Sequence, residues 1–305
     1  MDKKINYLLI ILFLIPIIGF SQKTYVPDNM FEYSLEGMGM GDGIPLNDSV
    51  WTSAIDTLTF LDISFNLGTP ITSLKGIEDM NNLEHLEIKF QNIDSVDLTN
   101  NSALYYVHLR DNHTLHVDVR YLTALEHLIL DENQISEIDL TFNANLIYFA
   151  CQYNQITSLD LSNQPHLQGI HCWDNQITSL DLSSNFSLLY LNCENNALTE
   201  LDIKNGWNWQ ITDFKVSGNN DLYCINVDDS TWASNTWNFW PDNNIDPWHY
   251  FSENCDEITE IKETLNHKKI LKTINILGRE TKRKKNQPLF YIYDDGTVEK
   301  RITID

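Results

Sequence analysis

Apolar and polar positions alternate along most of this chain with one long period. Leu83, Leu104, Leu125, Leu146, Leu167 and Leu188 stand 21 residues apart, and self-similarity at a fixed spacing of that size is the signature of a solenoid. Three residues after each leucine come Leu86, Val107, Leu128, Phe149, Ile170 and Leu191, and five after come Ile88, Leu109, Leu130, Cys151, Cys172 and Cys193. An interval of two between buried positions is a strand interval. Each period therefore predicts one short strand whose inward side chains stack on those of its neighbours in a continuous core. Imperfect copies open at Leu58, with Leu61, Ile63 and Asn66, and at Ile211, with Phe214, Val216 and Asn219, which makes eight coils. Alternation around Asp160 in Leu159 and Leu161 predicts that the second half of a coil is extended as well.

Two polar columns ride on this apolar frame. Eight residues after each lead position stand Gln91, Asn112, Asn133, Asn154, Asn175 and Asn196. An amide at a turn can donate to and accept from backbone groups of neighbouring coils that would otherwise be buried unpaired, so stacked amides predict a ladder. Asp97, Asp118, Asp139, Asp160, Asp181 and Asp202 recur at the fourteenth position, alternate with core residues and so point outward. Hydrogen bonding to the backbone at the turns is the simple account of them, and a row of divalent cations the sharper alternative, without a Gly-rich calcium loop to support it. Cys151, Cys172 and Cys193 sit at a core position of adjacent coils. Stacked at about the 4.8 Å strand spacing with parallel side-chain directions, they suit neither a disulfide nor a chelate, and free packing thiols are expected.

The flanks differ from the repeats. Lys3 and Lys4 precede an apolar run from Tyr7 to Phe20, with Gly19 and Ser21 before Gln22; this reads as a secretory signal peptide over 1–21, a membrane anchor being the alternative. Asp28 is a candidate N-cap for a short helix through Met30, Phe31, Tyr33 and Leu35, in an N-terminal cap spanning 22–57. Repeats occupy 58–223. Cys224 and Cys255 bracket a segment with Trp232, Trp237, Trp240 and Trp248, and in a secreted chain they are expected to pair as a disulfide clamping a C-terminal cap over 224–255. A linker follows over 256–273, then a small β tail over 274–305, in which Asp295-Gly296 is a hairpin signal between alternating runs.

Charge sharpens this division. The chain of 305 residues carries 43 acidic and 20 basic residues. Residues 23–255 hold 33 acids and 7 bases, whereas 256–305 hold 9 acids and 11 bases. So acidic a body argues against a nucleic acid partner, since phosphate neutralisation supplies most of that affinity.

Over 58–219 the pattern Leu-x-x-Leu-x-Leu-x-x-Asn resembles the leucine-rich repeat family. The 21-residue period, the inward cysteines and the phrase Leu-Asp-Leu-Ser at Leu159–Ser162 and Leu180–Ser183 resemble the internalin J type of bacterial surface repeat. That resemblance implies a mainly β, right-handed leucine-rich repeat solenoid of about eight coils with a short helical cap, a disulfide cap and a β tail. Leu277–Glu280 with Lys300 and Arg301 resembles the C-terminal sorting domain of the type IX secretion system of Bacteroidetes, with Pro288–Tyr293 replacing the commoner Lys-Gly-Ile-Tyr phrase. That likeness implies export and contact with the type IX machinery.

In the family, residues flanking the inward strand positions project onto the concave face. Here that face is rich in rings: Tyr106, His108, His127, Tyr148, Tyr153, His171, Trp173 and Tyr190. Tyr148, Tyr153, His171, Trp173 and Tyr190 fall on three consecutive coils and are expected to converge in one patch, suited to a protein ligand or to sugar rings. The alternative is a hydrated sheet surface whose cross-strand pairs only stabilise the sheet. No His-Glu-x-x-His, Gly-x-Ser-x-Gly or Gly-rich phosphate loop occurs, so neither a catalytic residue nor a cofactor or metal is assigned. Pairings such as His85 with Glu87, or His108 with Asp131, need imply neither catalysis nor zinc. The expected function is ligand capture or adhesion at the cell surface, with a purely structural envelope role as the contrast.

Overall fold

The computed structural model describes residues 22–64, 68–237, 244–255, 270–275, 278–281, 288–293, 296 and 298–302. The proposed signal peptide, Asn66, Trp240, most of the linker, Leu277 and the basic run 282–285 lie outside these residues.

Each period forms a three-residue strand. Phe60–Asp62, His85–Glu87, Tyr106–His108, His127–Ile129, Tyr148–Ala150, Gly169–His171, Tyr190–Asn192 and Asp213–Lys215 lie side by side in chain order. All are parallel and in register, so Leu61, Leu86, Val107, Leu128, Phe149, Ile170, Leu191 and Phe214 form one row. The architecture is a parallel β solenoid of eight coils with the leucine-rich repeat pattern. Its apolar rows are shut off from water: every lead leucine from Leu83 to Leu188 is 1% exposed or less. Burial of one such side chain is worth roughly 1.5–3 kcal/mol. Cys151, Cys172 and Cys193 are buried free thiols in this core, and burial pushes the Cys172 thiol up to about 12. A second, four-stranded parallel sheet of Ser179–Asp181, Glu200–Asp202, Cys224–Asn226 and Tyr250–Ser252 forms from the later halves of the last coils and the C-terminal cap.

The amide ladder joins the coils. Asn154 Nδ2 donates to Leu130 O of the preceding coil at 2.9 Å and to Cys151 O at 3.0 Å, while its Oδ1 accepts from Ile135 N at 2.9 Å. Asn112, Asn133, Asn175, Asn196 and Asn219 repeat this arrangement. A second amide column, three residues before the lead position, is not evident from the repeat pattern. Asn101, Asn143, Gln164 and Asn185 donate from there to carbonyls of the preceding coil, at 2.7–3.0 Å. Leu122 fills that position in one coil and Asn208 in the last, where a two-residue insertion has handed the donation to Asn205.

Both ends are closed. The N-terminal helix Asn29–Gly37 is capped by Asp28, which accepts from Met30 N at 2.9 Å and Phe31 N at 3.0 Å. The other carboxylate oxygen takes Thr72 N at 2.8 Å and Ser73 N at 3.1 Å, tying the cap to the first coil. The helix buries Phe31 and Leu35, as its pattern suggests; Tyr33 instead lies 52% exposed, and buried Glu32 accepts from Asn47 N and Asp48 N at 2.9 Å. At the far end Cys224 and Cys255 form the expected disulfide, with Cα atoms 5.8 Å apart. Trp237 stacks on Phe214 at 4.3 Å and covers the last coil. Trp248 does not join it and is 41% exposed. The tail strands Pro288–Tyr293 and Val298–Ile302 are antiparallel, and Ile270–Ile274 adds a third strand.

Two substitutions probe these contacts. Asn154→Ala strands two carbonyls and one amide in the core and is expected to lower stability by about 2–4 kcal/mol in urea denaturation. Asn208 is buried with neither side-chain polar atom partnered. Because Leu122 occupies the equivalent position, Asn208→Leu is expected to raise stability by about 1–2 kcal/mol.

Candidate functional site

The outward side chains of the long sheet form parallel rows, one step of the stack apart. The row opening each strand carries Phe60, His85, Tyr106, His127 and Tyr148. Their rings form a file: Phe60 to His85 at 4.6 Å, His85 stacked on Tyr106 at 4.0 Å, Tyr106 to His127 at 5.6 Å and His127 to Tyr148 at 6.3 Å. The sixth coil has Gly169 in this row, and that absence of a side chain shapes the file. The Tyr148 ring leans over Gly169, where an added Cβ would stand 2.8 Å from Tyr148 Cδ2, and reaches His171 at 5.4 Å. Burial raises the Tyr148 pKa and lowers that of His171.

The expected single patch is instead two pairs. Tyr148 meets His171, and Tyr153 meets Trp173 edge to face at 4.4 Å. Tyr190 is 46% exposed and, among the described residues, is in no ring contact with either pair. The reason is the rows: Tyr148 opens its strand, whereas Tyr153 lies beyond its end, with the small Ala150 between. Phe60 and His85 are members of the file that the candidate set lacks, although their place in the same column was readable for His85.

The seventh position of each coil is the turn itself. Phe90, Asp111, Glu132, Tyr153, Asp174 and Asn195 all have positive φ, between 51° and 60°. A left-handed conformation costs a residue with a Cβ roughly 1–2 kcal/mol, and here it swings the next residue's amide into the ladder. In the last coil Gly218 takes this position with φ 77°.

Charged groups gather toward the first coils. His85 Nε2 lies 2.8 Å from Glu87 Oε1, Lys89 bonds the other Glu87 oxygen, and His108 Nδ1 is 3.8 Å from it. The pairing of His108 with Asp131 is not formed; Asp131 is 2% exposed and sits against Arg110 Nε at 3.2 Å, and Arg110 also binds Glu132. Burial raises the Asp131 pKa against the pull of Arg110. Burial, helped by Lys89 and Arg110 and opposed by Glu87 and Asp62, brings the His108 pKa down to about 4.

The outward aspartates are turn formers. Oδ1 of Asp97, Asp118, Asp139, Asp160, Asp181 and Asp202 accepts the backbone N–H two residues on, at 2.8–3.1 Å. Side-chain hydrogen bonds from Thr99, Thr141 and Ser162 hold Asp97, Asp139 and Asp160 below the usual carboxylate range, and Arg120 brings Asp118 to about 2. Among the described residues, no group of three His, Cys, Asp or Glu is arranged to hold a metal ion. The second sheet does carry a recess of about 350 Å³, lined by Asp181, Glu200, Asp202, Tyr223 and Tyr250.

No family model matches the chain, and no curated protein does. Solved structures similar to it include the functional domain of InlJ from Listeria monocytogenes, which includes a cysteine ladder (24% identity, 68% of this chain, 57% of that one, TM-score 0.41). Others are internalin C2 of the same organism (22%, 67% and 97%, TM-score 0.44) and a leucine-rich repeat protein of Leptospira interrogans (20%, 70% and 54%, TM-score 0.45). The chain thus spans little more than half the length of the first and third of these.

The half-buried His108 makes a pH prediction. The unfolded chain takes up this proton near pH 6.5, whereas folded His108 resists it until about 4. Between those values the unfolded state binds more protons, so His108 makes stability fall as pH drops. His108→Gln is expected to remove about 1–2 kcal/mol of that decline, read from thermal melts of parent and variant at pH 7 and pH 4.5.

Proposed function

We propose that this is a secreted or cell-surface leucine-rich repeat protein that recognises a protein ligand through the face of its long sheet, without enzymatic activity of its own. The observation that carries this reading is the unbroken file of rings from Phe60 to His171 on the outward side of the sheet. Tyrosine, histidine and tryptophan pair an apolar body with a polar edge, which suits a surface that must be wet when free and buried when bound. Rigid presentation favours the same conclusion, because strands hydrogen-bonded on both sides lose little further freedom on binding.

Export belongs to the same proposal. The basic and apolar segment at residues 3–20 would direct secretion and be removed, and the disulfide fits an oxidising compartment. No helix among the described residues is long and apolar enough to cross a membrane. The sequence likeness of Leu277–Glu280, Lys300 and Arg301 assigns the tail to the type IX secretion machinery. Deleting 274–305 is expected to leave the protein in the periplasm by cell fractionation; undiminished surface display would count against this assignment.

Recognition is tested by screening immobilised chain against surface and extracellular proteins, and against a glycan array, beside the double variant Tyr148→Ala, Trp173→Ala. A protein partner bound by the parent and lost by the variant is expected. A glycan lost in the same way would make the face a carbohydrate site, and binding of neither would favour the structural envelope role.

A further inference from the structure

The later coils carry a charge arrangement that a general recognition surface does not require. The three cations on the outward face are already matched: Lys89 by Glu87, Arg110 by Asp131 and Glu132, and Lys215 by Asp213 at 3.0 Å. Asp174 and Glu194, which flank Trp173 in the turn and on the next coil, enter no ion pair among the described residues. Among the described residues Glu194 accepts only from the neutral donors Ser217 Oγ, at 2.6 Å, and Asn244 Nδ2. Beside them Tyr153, 48% exposed, stands edge to face against Trp173. The corner therefore offers two aromatic rings and two carboxylates that enter no ion pair among the described residues.

We propose that this corner receives an arginine side chain from a basic segment of the protein partner, a proposal that rests on the recognition reading above. A guanidinium is planar, so it can lie on an indole or phenol ring while its edge N–H groups reach carboxylates. An ammonium ion offers charge without that plane or fork, and a neutral side chain leaves the carboxylates unmatched. The acidity of the whole body, 33 acids to 7 bases over residues 23–255, draws a basic segment toward the face from a distance.

The test uses the full chain labelled with fluorotryptophan, the Trp173 resonance being assigned by Trp173→Phe. Acetyl-Gly-Arg-Gly-amide is titrated in by fluorine NMR, beside its lysine and citrulline counterparts. Arginine is expected to shift the Trp173 resonance saturably, and citrulline, its neutral isostere, to bind about tenfold more weakly or not at all. Asp174→Asn with Glu194→Gln is expected to weaken arginine by a similar factor, while an unmoved Trp237 resonance reports an intact fold. Silence at Trp173, or equal binding of citrulline, overturns the proposal; equal binding of lysine overturns its guanidinium assignment. Should a protein partner be lost on Tyr148→Ala while arginine leaves Trp173 untouched, recognition by the face stands and the arginine corner falls. A Trp173 response to arginine without any captured partner does the reverse: the corner binds its guanidinium, and recognition of a protein by the face falls.

Discussion

Stacking short coils side by side buries backbone groups at every bend, where no strand partner exists to satisfy them. An unpaired buried amide or carbonyl costs about 1–3 kcal/mol, and a solenoid would incur that cost in each coil. The inward asparagines answer it: Asn154 alone bonds two carbonyls and one N–H, reaching the coil before its own. Each amide ties two successive coils together at the bend and so continues there the spacing that the strand hydrogen bonds set for the core rows and the outward rings. A second amide column repeats the device at the opposite bend, through Asn101, Asn143, Gln164 and Asn185.

The ladder also explains a strain that would otherwise look wasteful. Six residues with side chains, Phe90 and Tyr153 among them, adopt left-handed backbone one position before the ladder amide. Without that reversal the asparagine side chain would point outward with its neighbour. The conformational cost is offset by the buried bonds the turn makes possible, and it leaves side chains such as Tyr153 projecting from the turn beside Trp173. The outer surface is thereby set by a requirement of the interior. Gly169 works the other way: by removing one side chain from a row it lets Tyr148 tilt onto the next coil and join His171.

How far this could be read in advance differs from residue to residue. Leu83 and its successors, the asparagine column, the free thiols and the Asp28 cap were all legible, because each depends on position within a period and on local chemistry. Asp97 and its successors were legible as turn acceptors for the same reason, since each Oδ1 bonds the N–H two residues along; the further bond from Asn226 to the other oxygen of Asp202 depends on the stacking of coils. The second amide column was hidden by Leu122, which interrupts it, and by the insertion that moves its last donor to Asn205. His108 and Asp131 do not pair because Arg110, two residues beyond His108, claims the carboxylate first.

Sequence alone determined the period, the inward and outward sense of each strand residue, the number of coils and the acidity of the body. These follow from side-chain alternation and from composition, which need no knowledge of contacts. Tertiary structure decided which rings touch, which charges are spent on one another and which are left over. Such outcomes depend on side-chain tilt across neighbouring coils, as with Tyr148 over Gly169, and on competition among several acids for few cations. A repeat dictates where side chains start; only packing dictates where they end.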